Sequence, residues 1–234
     1  MPPPGLTSYG RRECAIILGS ALPMLIASLV VGWWPVAALV ALLALGGLAF
    51  FRDPDRRPPD PADPGVLLSP ADGTIIDIDE VESHPALGGG PALVIRVRMS
   101  LLNVHVNRMP CRARVVDLEH RPGRFHNTYG SRAAAENESL TMRLRRVEDG
   151  MPLAVRQVAG LVARRIVNAA APGVEYGAGE RFGMIKFSSM TELILPRCSS
   201  PTAGAGVGGV SGDVSGGVGS GAGDGGGDGG SVAA

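Results

Sequence analysis

The chain has 234 residues, and its 22 Lys and Arg side chains balance its 22 Asp and Glu side chains. This length suits one globular domain with appendages and excludes two large domains. A net charge of zero offers no electrostatic basis for binding nucleic acid, so no nucleic-acid partner is expected. The three cysteines, Cys14, Cys111 and Cys198, lack the spacing of a zinc site, and an odd number is not a disulfide framework. We therefore expect free thiols and no metal.

The N-terminal zone carries the clearest physical signal, because residues 14–51 contain no Asp, Glu, Lys, Arg or His. One helix of that length would measure about 57 Å, against about 30 Å for the hydrocarbon core of a bilayer. The sequence therefore predicts two helices, 14–31 and 35–51, with two Trp and a Pro at the turn. Arginines flank both ends, so the positive-inside rule predicts a transmembrane helical hairpin over residues 1–51 of a protein in the cell membrane. The rest of the chain then faces the cytoplasm.

Two other interpretations of the apolar zone are a signal peptide and a hairpin buried in a protein core. The run is too long for a signal peptide, and no A-x-A cleavage site leads into a secreted domain. The Pro-rich stretch that follows predicts a stiff linker over residues 52–65. At the other end, residues 198–234 are dominated by Gly, Ala, Ser and Val and bury too little apolar surface to fold, so a disordered tail is expected.

Between linker and tail, residues 66–197 read as short strands punctuated by glycines. The predicted strands are 66–69, 74–80, 93–99, 112–119, 139–147, 153–160, 182–187 and 191–195. One helix is predicted over 161–169. The prediction is a mainly β (α+β) fold in which residues 66–197 form an antiparallel β-rich barrel or sandwich-like domain behind the hairpin.

A pair of serines, Ser188 and Ser189, stands between the last two predicted strands. Serines at a β-turn are ordinarily structural. In a strained turn with a base and an oxyanion donor nearby, however, a serine hydroxyl attacks the carbonyl before it and forms an ester by an N-to-O acyl shift. β-Elimination then breaks the chain and leaves a pyruvoyl group on the new N-terminus.

Such a serine needs a base, and two further segments offer one. Asp72 lies in Ser69-Pro70-Ala71-Asp72-Gly73, which alone is typical of a hairpin turn. His105 lies in Asn103-Val104-His105-Val106-Asn107-Arg108, and a lone His beside a strand is usually a surface or satisfied core group. Together, a histidine oriented by an aspartate would form the base. Their spacing does not establish that they meet in space.

These motifs, in this order, resemble the phosphatidylserine decarboxylase family, in particular its short archaeal-type members. The resemblance runs from Phe50 through Pro196, about the whole folded zone. The matching segments are 50–54, 69–73, 103–108, 136–138, 157–160, 163–166 and 179–185.

The resemblance implies pyruvoyl-dependent decarboxylation of a serine phospholipid, phosphatidylserine or archaetidylserine, to the ethanolamine lipid. Self-cleavage between Ser188 and Ser189 would yield a heterodimer of a large N-terminal and a small C-terminal fragment. Ser189 would become the pyruvoyl group that forms a Schiff base with the substrate. Asp72 and His105 would complete a Ser-His-Asp triad, with His105 then available for proton transfer. Pyridoxal phosphate is not expected, since Lys186 is the only lysine and no α/β cofactor pattern accompanies it.

Two positions depart from the family pattern. The family usually has Gly where this chain has Ser188, and the added Cβ disfavours a positive φ, which would slow cleavage or shift it to Ser188. Some long members have a second His where this chain has Arg108, so His105 would act alone. A membrane-bound lipid-binding homologue that does not cleave is therefore the alternative function. A pyruvoyl decarboxylase of a free amino acid is a third, opposed by the hairpin.

Overall fold

The structure, a computed structural model, describes residues 5–56, 66–127, 132–161, 165–187 and 189–197. Its helices are α1 (Arg11–Val30), α2 (Trp34–Phe50) and the short α3 (Arg132–Glu136). Its strands are β1 (Thr74–Val81), β2 (Ala92–Met99), β3 (Val106–Arg108), β4 (Ala113–Arg121), β5 (Ser139–Arg146), β6 (Pro152–Val158), β7 (Arg165–Asn168), β8 (Glu175–Tyr176), β9 (Arg181–Lys186) and β10 (Ser189–Pro196). Short 3-10 turns lie at Ser8–Gly10 and Pro85–Leu87.

The N-terminal helices form the predicted hairpin. Gly32 makes the turn with a φ of 77°, a conformation that glycine adopts without steric cost, and Pro35 lies in the first turn of α2. The stretch Ser8–Val30 is long and apolar enough to cross a membrane, whereas Trp34–Phe50 has 17 residues and is shorter. At the foot of the hairpin, Phe50 and Phe51 pack with Met184 of β9. The hairpin is therefore joined to the β domain by apolar packing as well as by the chain.

The β domain consists of two antiparallel sheets. The larger has seven strands in the order β1-β2-β10-β6-β5-β4-β8, and the smaller has the order β3-β9-β7. Phe182 of β9 packs among side chains of β4, β5, β6 and β10, and Ile185 of β9 packs on Val97 and Met99 of β2. The main core therefore lies between the sheets, which confirms the predicted antiparallel β-rich, sandwich-like fold.

Two local predictions were wrong. Residues 66–69 form no strand, although the amide of Leu68 donates to the carbonyl of Pro110. The predicted helix 161–169 contains β7 instead, in which Ile166 pairs with Ile185 of β9. Adjacent β-branched side chains such as Ile166 and Val167 favour a strand, and pairing with β9 settles the choice. The strands β3 and β8 and the helix α3 were not predicted.

Several predictions fall outside the described residues, among them most of the linker, Ser188 and the glycine-rich tail. The limits predicted for the linker, the β domain and the tail stay predictions. Cys14 and Cys111 are buried and free, as expected, and Cys198 lies outside the described residues.

Candidate active site

Ser189 is the first residue of β10, a strand in the interior of the large sheet. It pairs with Met99 at the end of β2, while the next residue, Met190, pairs with Val158 of β6. The Ser189 side chain is fully buried, and its hydroxyl finds no hydrogen-bond partner within the described part of the chain. A buried hydroxyl without a partner is costly, and such groups concentrate at reactive sites.

The turn that leads into Ser189 is strained. Phe187 has a φ of 68°. Within the described ranges, it is the only non-glycine residue with a positive φ. A bulky side chain in the left-handed region costs on the order of 1–3 kcal/mol and persists only where the surrounding structure enforces it. A strained turn was expected at the serine pair, and the observed strain lies one residue before that pair.

His105 lies immediately before β3 and is held by β9. Its carbonyl accepts a hydrogen bond from the amide of Ile185 at 3.3 Å. The imidazole is fully buried, with Nδ1 2.9 Å from the carbonyl oxygen of Asn103. A carbonyl only accepts, so Nδ1 carries the proton, and the lone pair is on Nε2. Among the described residues Nε2 has no partner, so the ring is in the tautomer that a general base requires.

Burial also sets the charge state of this histidine. The pKa of His105 is lowered to about 4, mainly by desolvation; the hydrogen bond to Asn103 opposes this shift, and the positive charge of Arg52 adds to it. The imidazole is therefore neutral near pH 7 and can accept a proton.

One aromatic side chain links His105 to the strained turn. The ring of Phe50 lies between them, with centroids 4.3 Å from the His105 ring and 4.6 Å from the Phe187 ring. Phe50 is the last residue of α2, so the foot of the hairpin forms one wall of the site. The structure thus brings His105 and the turn before Ser189 to the same place.

In the structure, the Asp72 carboxylate is not the group that orients the His105 imidazole. Its carboxylate pairs with the guanidinium of Arg56, while the Nδ1 position of His105 is occupied by the Asn103 carbonyl. The two motifs do meet, because the carbonyl of Pro70 accepts from the backbone amide of Arg108 at 3.0 Å. The loop that carries Asp72 therefore docks beside β3 without presenting its carboxylate to the imidazole.

Gly73 explains part of the Ser69–Gly73 motif. A Cβ at Gly73 would lie 2.3 Å from the carbonyl oxygen of Arg98, so only glycine permits this approach to β2.

Arg108 connects the linker to the β domain. Its guanidinium bonds the Asp53 carboxylate at 2.7 Å and the carbonyl of Pro54 at 2.9 Å. Arg108 therefore holds the start of the linker against the β domain.

A chain of amide side chains beneath the site, buried at Asn107 and Gln157 and half-buried at Asn168, was not predicted. Asn107 Nδ2 donates to the carbonyl of Pro70 at 3.3 Å, Gln157 Nε2 donates to Asn107 Oδ1 at 2.8 Å, and Asn168 Nδ2 donates to Gln157 Oε1 at 3.1 Å. The sequence offered one indication of these amides, because Asn107 and Gln157 belong to the motifs that carried the resemblance to the family. Their physical role is to connect the Ser69–Gly73 loop, β3, β6 and β7.

Lys186, the last residue of β9, is nearly buried and forms an ion pair with Glu13 in the first turn of α1. Its ammonium group is therefore engaged in joining the hairpin to the β domain. Within the described ranges, no group of His, Cys, Asp or Glu side chains is arranged to hold a metal ion.

Comparisons with known proteins identify the family of this chain. The family model described as phosphatidylserine decarboxylase matches residues 47–209. A phosphatidylserine decarboxylase proenzyme of Pelobacter propionicus is 46% identical over 170 residues, covering 73% of this chain and 75% of the relative. The proenzyme of Gluconacetobacter diazotrophicus is 44% identical over 161 residues, with coverages of 68% and 70%. That of Erythrobacter litoralis is 36% identical over 209 residues, with coverages of 85% and 81%. The chain therefore belongs to the phosphatidylserine decarboxylase family.

Proposed function

We propose that this chain is a self-cleaving proenzyme that matures into a membrane-bound phosphatidylserine decarboxylase. The observation that carries the proposal is that Ser189 Oγ and His105 Nε2 are buried without a partner among the described residues, beside the strained turn at Phe187. The relatives are named phosphatidylserine decarboxylase proenzymes, which supports both the cleavage and the substrate.

Cleavage uses groups of the chain itself. His105 Nε2 takes the proton of the Ser189 hydroxyl, and Oγ attacks the carbonyl carbon of Ser188. The peptide bond to the Ser189 nitrogen breaks, and an ester to Ser189 Oγ replaces it. Loss of the Ser189 α-proton then expels the carboxylate of Ser188, and hydrolysis of the resulting enamine releases ammonia and leaves the pyruvoyl group. Breaking the chain after Ser188 also allows Phe187 to leave its strained conformation.

Decarboxylation then takes place where cleavage occurred. The pyruvoyl group would supply an electron-withdrawing carbonyl to which the substrate amine attaches. The neutral, buried imidazole of His105 can take a proton from the substrate ammonium group before the amine attaches, and can return it to the substrate α-carbon once carbon dioxide has left. The Phe50 ring excludes water from that imidazole.

The small fragment would stay with the large one without a covalent link. β10 lies between β2 and β6, with strand pairing on both sides. Ile194 and Leu193 of β10 are buried in two different apolar clusters. A heterodimer of residues 1–188 and 189–234 is therefore the expected mature form, with no pyridoxal phosphate and no metal.

The hairpin would hold the enzyme in the cell membrane with the β domain in the cytoplasm, as the arginines at both ends predict. Phosphatidylserine is the proposed substrate because the relatives carry its name. Archaetidylserine has the same headgroup and differs in its ether-linked tails, so assays with both lipids separate the two.

Intact-mass analysis of the purified chain tests the proposal. We expect one fragment ending at Ser188 and one beginning with a pyruvoyl group at position 189. Ser189→Ala should abolish cleavage and activity, because it removes the attacking hydroxyl. Ser188→Gly is the matched control and should cleave as fast or faster, since it removes a Cβ from the turn.

A pyruvoyl group at position 188, or a free serine amine at either position, would show that the assignment is wrong. A chain that stays full-length and still binds phosphatidylserine would instead be the lipid-binding homologue. A full-length protein recovered from the soluble fraction without detergent would exclude the membrane tether.

A further inference from the structure

The turn between β2 and β3 carries two leucines at its tip. The turn is closed at its base, where the amide of Asn103 donates to the Ser100 carbonyl at 3.0 Å and the amide of Ser100 donates to Asn103 Oδ1 at 2.8 Å. Between these residues, Leu101 is 54% exposed and Leu102 is 84% exposed. Turn tips in water usually carry Gly, Pro, Asn, Asp or Ser. A closed polar base therefore presents an apolar tip that no described part of this chain covers.

This tip lies beside the foot of the helical hairpin. The guanidinium of Arg52, two residues after α2 ends, bonds the carbonyl of Leu102 and also the carbonyl of Ala49 in the last turn of α2, the latter at 3.0 Å. Farther from Arg52 along α2, toward the turn at Gly32, the helix exposes large apolar side chains such as Leu42 and Leu45. Arginine typically marks the level of the membrane interface, with its charge at the headgroups.

We propose that the Leu101–Leu102 turn is a second membrane contact that enters the headgroup and acyl boundary beside the foot of α2. This inference depends on the proposed function, because it takes the surface that holds the hairpin to be a bilayer. Continuity with the hairpin identifies the partner as a lipid surface, since Arg52 ties the turn to the point where α2 leaves that surface. Apolar side chains at such a boundary are stabilised by burial of their surface.

This second contact would set the position of the active site relative to the membrane surface. His105 follows Leu102 by three residues, and its ring lies against Phe50 at the foot of α2. With the hairpin and the turn both in the bilayer, the imidazole is fixed at headgroup level from two sides. A serine headgroup then reaches the site while its acyl chains stay in the membrane.

Val147 provides a matched control on the other side of the molecule. It is 38% exposed and lies in the turn between β5 and β6. β2 ends at Met99 beside Ser189, and the start of β10 pairs with the end of β6 at Val158. The start of β6, and with it the β5–β6 turn, therefore lies at the opposite end of the strands from Leu102.

The direct test is quenching by lipids that carry a nitroxide near the headgroup. Leu102→Cys and Val147→Cys, each in the full chain with Cys198→Ala, are labelled with a fluorescent probe and reconstituted into phosphatidylcholine vesicles. We expect quenching of the probe at 102 to exceed that at 147 by at least about threefold, because only the first reaches the acyl boundary. Equal quenching at both positions would overturn the proposal. So would an unquenched probe at 102 combined with a change of oligomer size on Leu102→Asp, which would mark a protein contact.

The functional test is the double substitution Leu101→Ser with Leu102→Ser. The hairpin should still hold the chain in membranes, and intact mass should still show cleavage. Turnover of phosphatidylserine in vesicles should fall about tenfold, while turnover of a short-chain, water-soluble phosphatidylserine stays unchanged. An equal fall on both substrates would contradict the inference. An unsubstituted chain that decarboxylates neither substrate but shows quenching at 102 would contradict the proposed function and leave the membrane contact standing.

Discussion

The ring of Phe50 lies against the imidazole of His105, with their centroids 4.3 Å apart. Phe50 is the last residue of α2, and it also stacks on Phe187, the strained residue before the proposed cleavage point. A helix expected only to tether the protein therefore forms part of the wall of the candidate active site. We therefore expect a change in the position of α2 to affect the reactivity of this site.

Phe50→Ala should slow self-cleavage and lower stability. Truncating a buried aromatic side chain typically costs about 3–5 kcal/mol and leaves a cavity, here between His105 and Phe187. Processing half-times and thermal unfolding in detergent measure the two effects. Leu39→Ala on the same helix is the control, because Leu39 is exposed. Equal processing by Phe50→Ala and Leu39→Ala would contradict a role of Phe50 in the site.

The rate of self-cleavage should follow the protonation of His105. Because burial lowers the pKa of His105 to about 4, the rate should stay level from pH 8 to about pH 5 and fall near pH 4. His105→Ala should stay unprocessed, whereas His120→Gln, which removes an exposed imidazole, should process normally. A rate that halves near pH 6.5 would contradict a buried neutral base.

The same shift in pKa affects stability with a defined sign. An unfolded histidine has a pKa of about 6.5, so between about pH 6.5 and pH 4 the unfolded chain binds more protons than the folded one. The contribution of His105 to stability is therefore present above pH 6.5 and is lost as the pH falls to about 4. Denaturant unfolding of Ser189→Ala, with and without His105→Phe, isolates this loss. An unchanged pH profile after His105→Phe would exclude it.

We propose that Asp72 assists the base, so Asp72→Asn should leave the chain unprocessed. In the structure its carboxylate pairs with Arg56, and both side chains are partly exposed. An exposed ion pair contributes at most about 1 kcal/mol, so Arg56→Gln should process normally. Intact mass separates the two variants. Normal processing of Asp72→Asn would assign this carboxylate to the surface pair alone.

Gln157→Leu should destabilise the fold beneath the site. The substitution leaves Asn107 Oδ1 and Asn168 Nδ2 without their Gln157 partner. This loss costs about 1–3 kcal/mol at the buried Asn107 and less at Asn168, which is half-buried. Thr191→Val is the contrasting control, because the Thr191 hydroxyl is buried without a partner among the described residues. That change should be neutral or stabilising in denaturant unfolding. A Gln157→Leu protein as stable as the unsubstituted one would show that the amide chain is dispensable.

Glu192→Gln should weaken retention of the small fragment. Glu192 is only 2% exposed and bonds Arg96 at 3.0 Å and Arg156 at 3.1 Å across β2, β10 and β6. Breaking a buried charge pair costs about 3–5 kcal/mol, so the fragment should dissociate at lower urea concentration in size-exclusion chromatography. Asp77→Asn removes the 45% exposed partner of the same Arg96 and should change little. Equal midpoints for both variants would exclude this role for Glu192.

The sequence by itself determined the two-helix hairpin and most of the strands. The length of an uncharged run can be compared directly with the thickness of a bilayer. The alternation of apolar and polar residues along β2 or β5 shows which face of each strand is buried. Both properties are therefore encoded in the local sequence. The motifs around His105 and Ser189 likewise predicted, from the sequence alone, which segments carry the base and the nucleophile.

Only the tertiary structure decided how these segments meet. Pairing of His105 with Ile185 joins residues 80 positions apart, and residue spacing carries no record of that register. Pairing with the other edge of β9 made residues 165–168 a strand where a helix was expected. Packing also gave Phe50 its place on the imidazole and gave Asp72 an arginine as its partner. These outcomes depend on which distant surfaces bury one another, and that competition is settled only when the whole chain is folded.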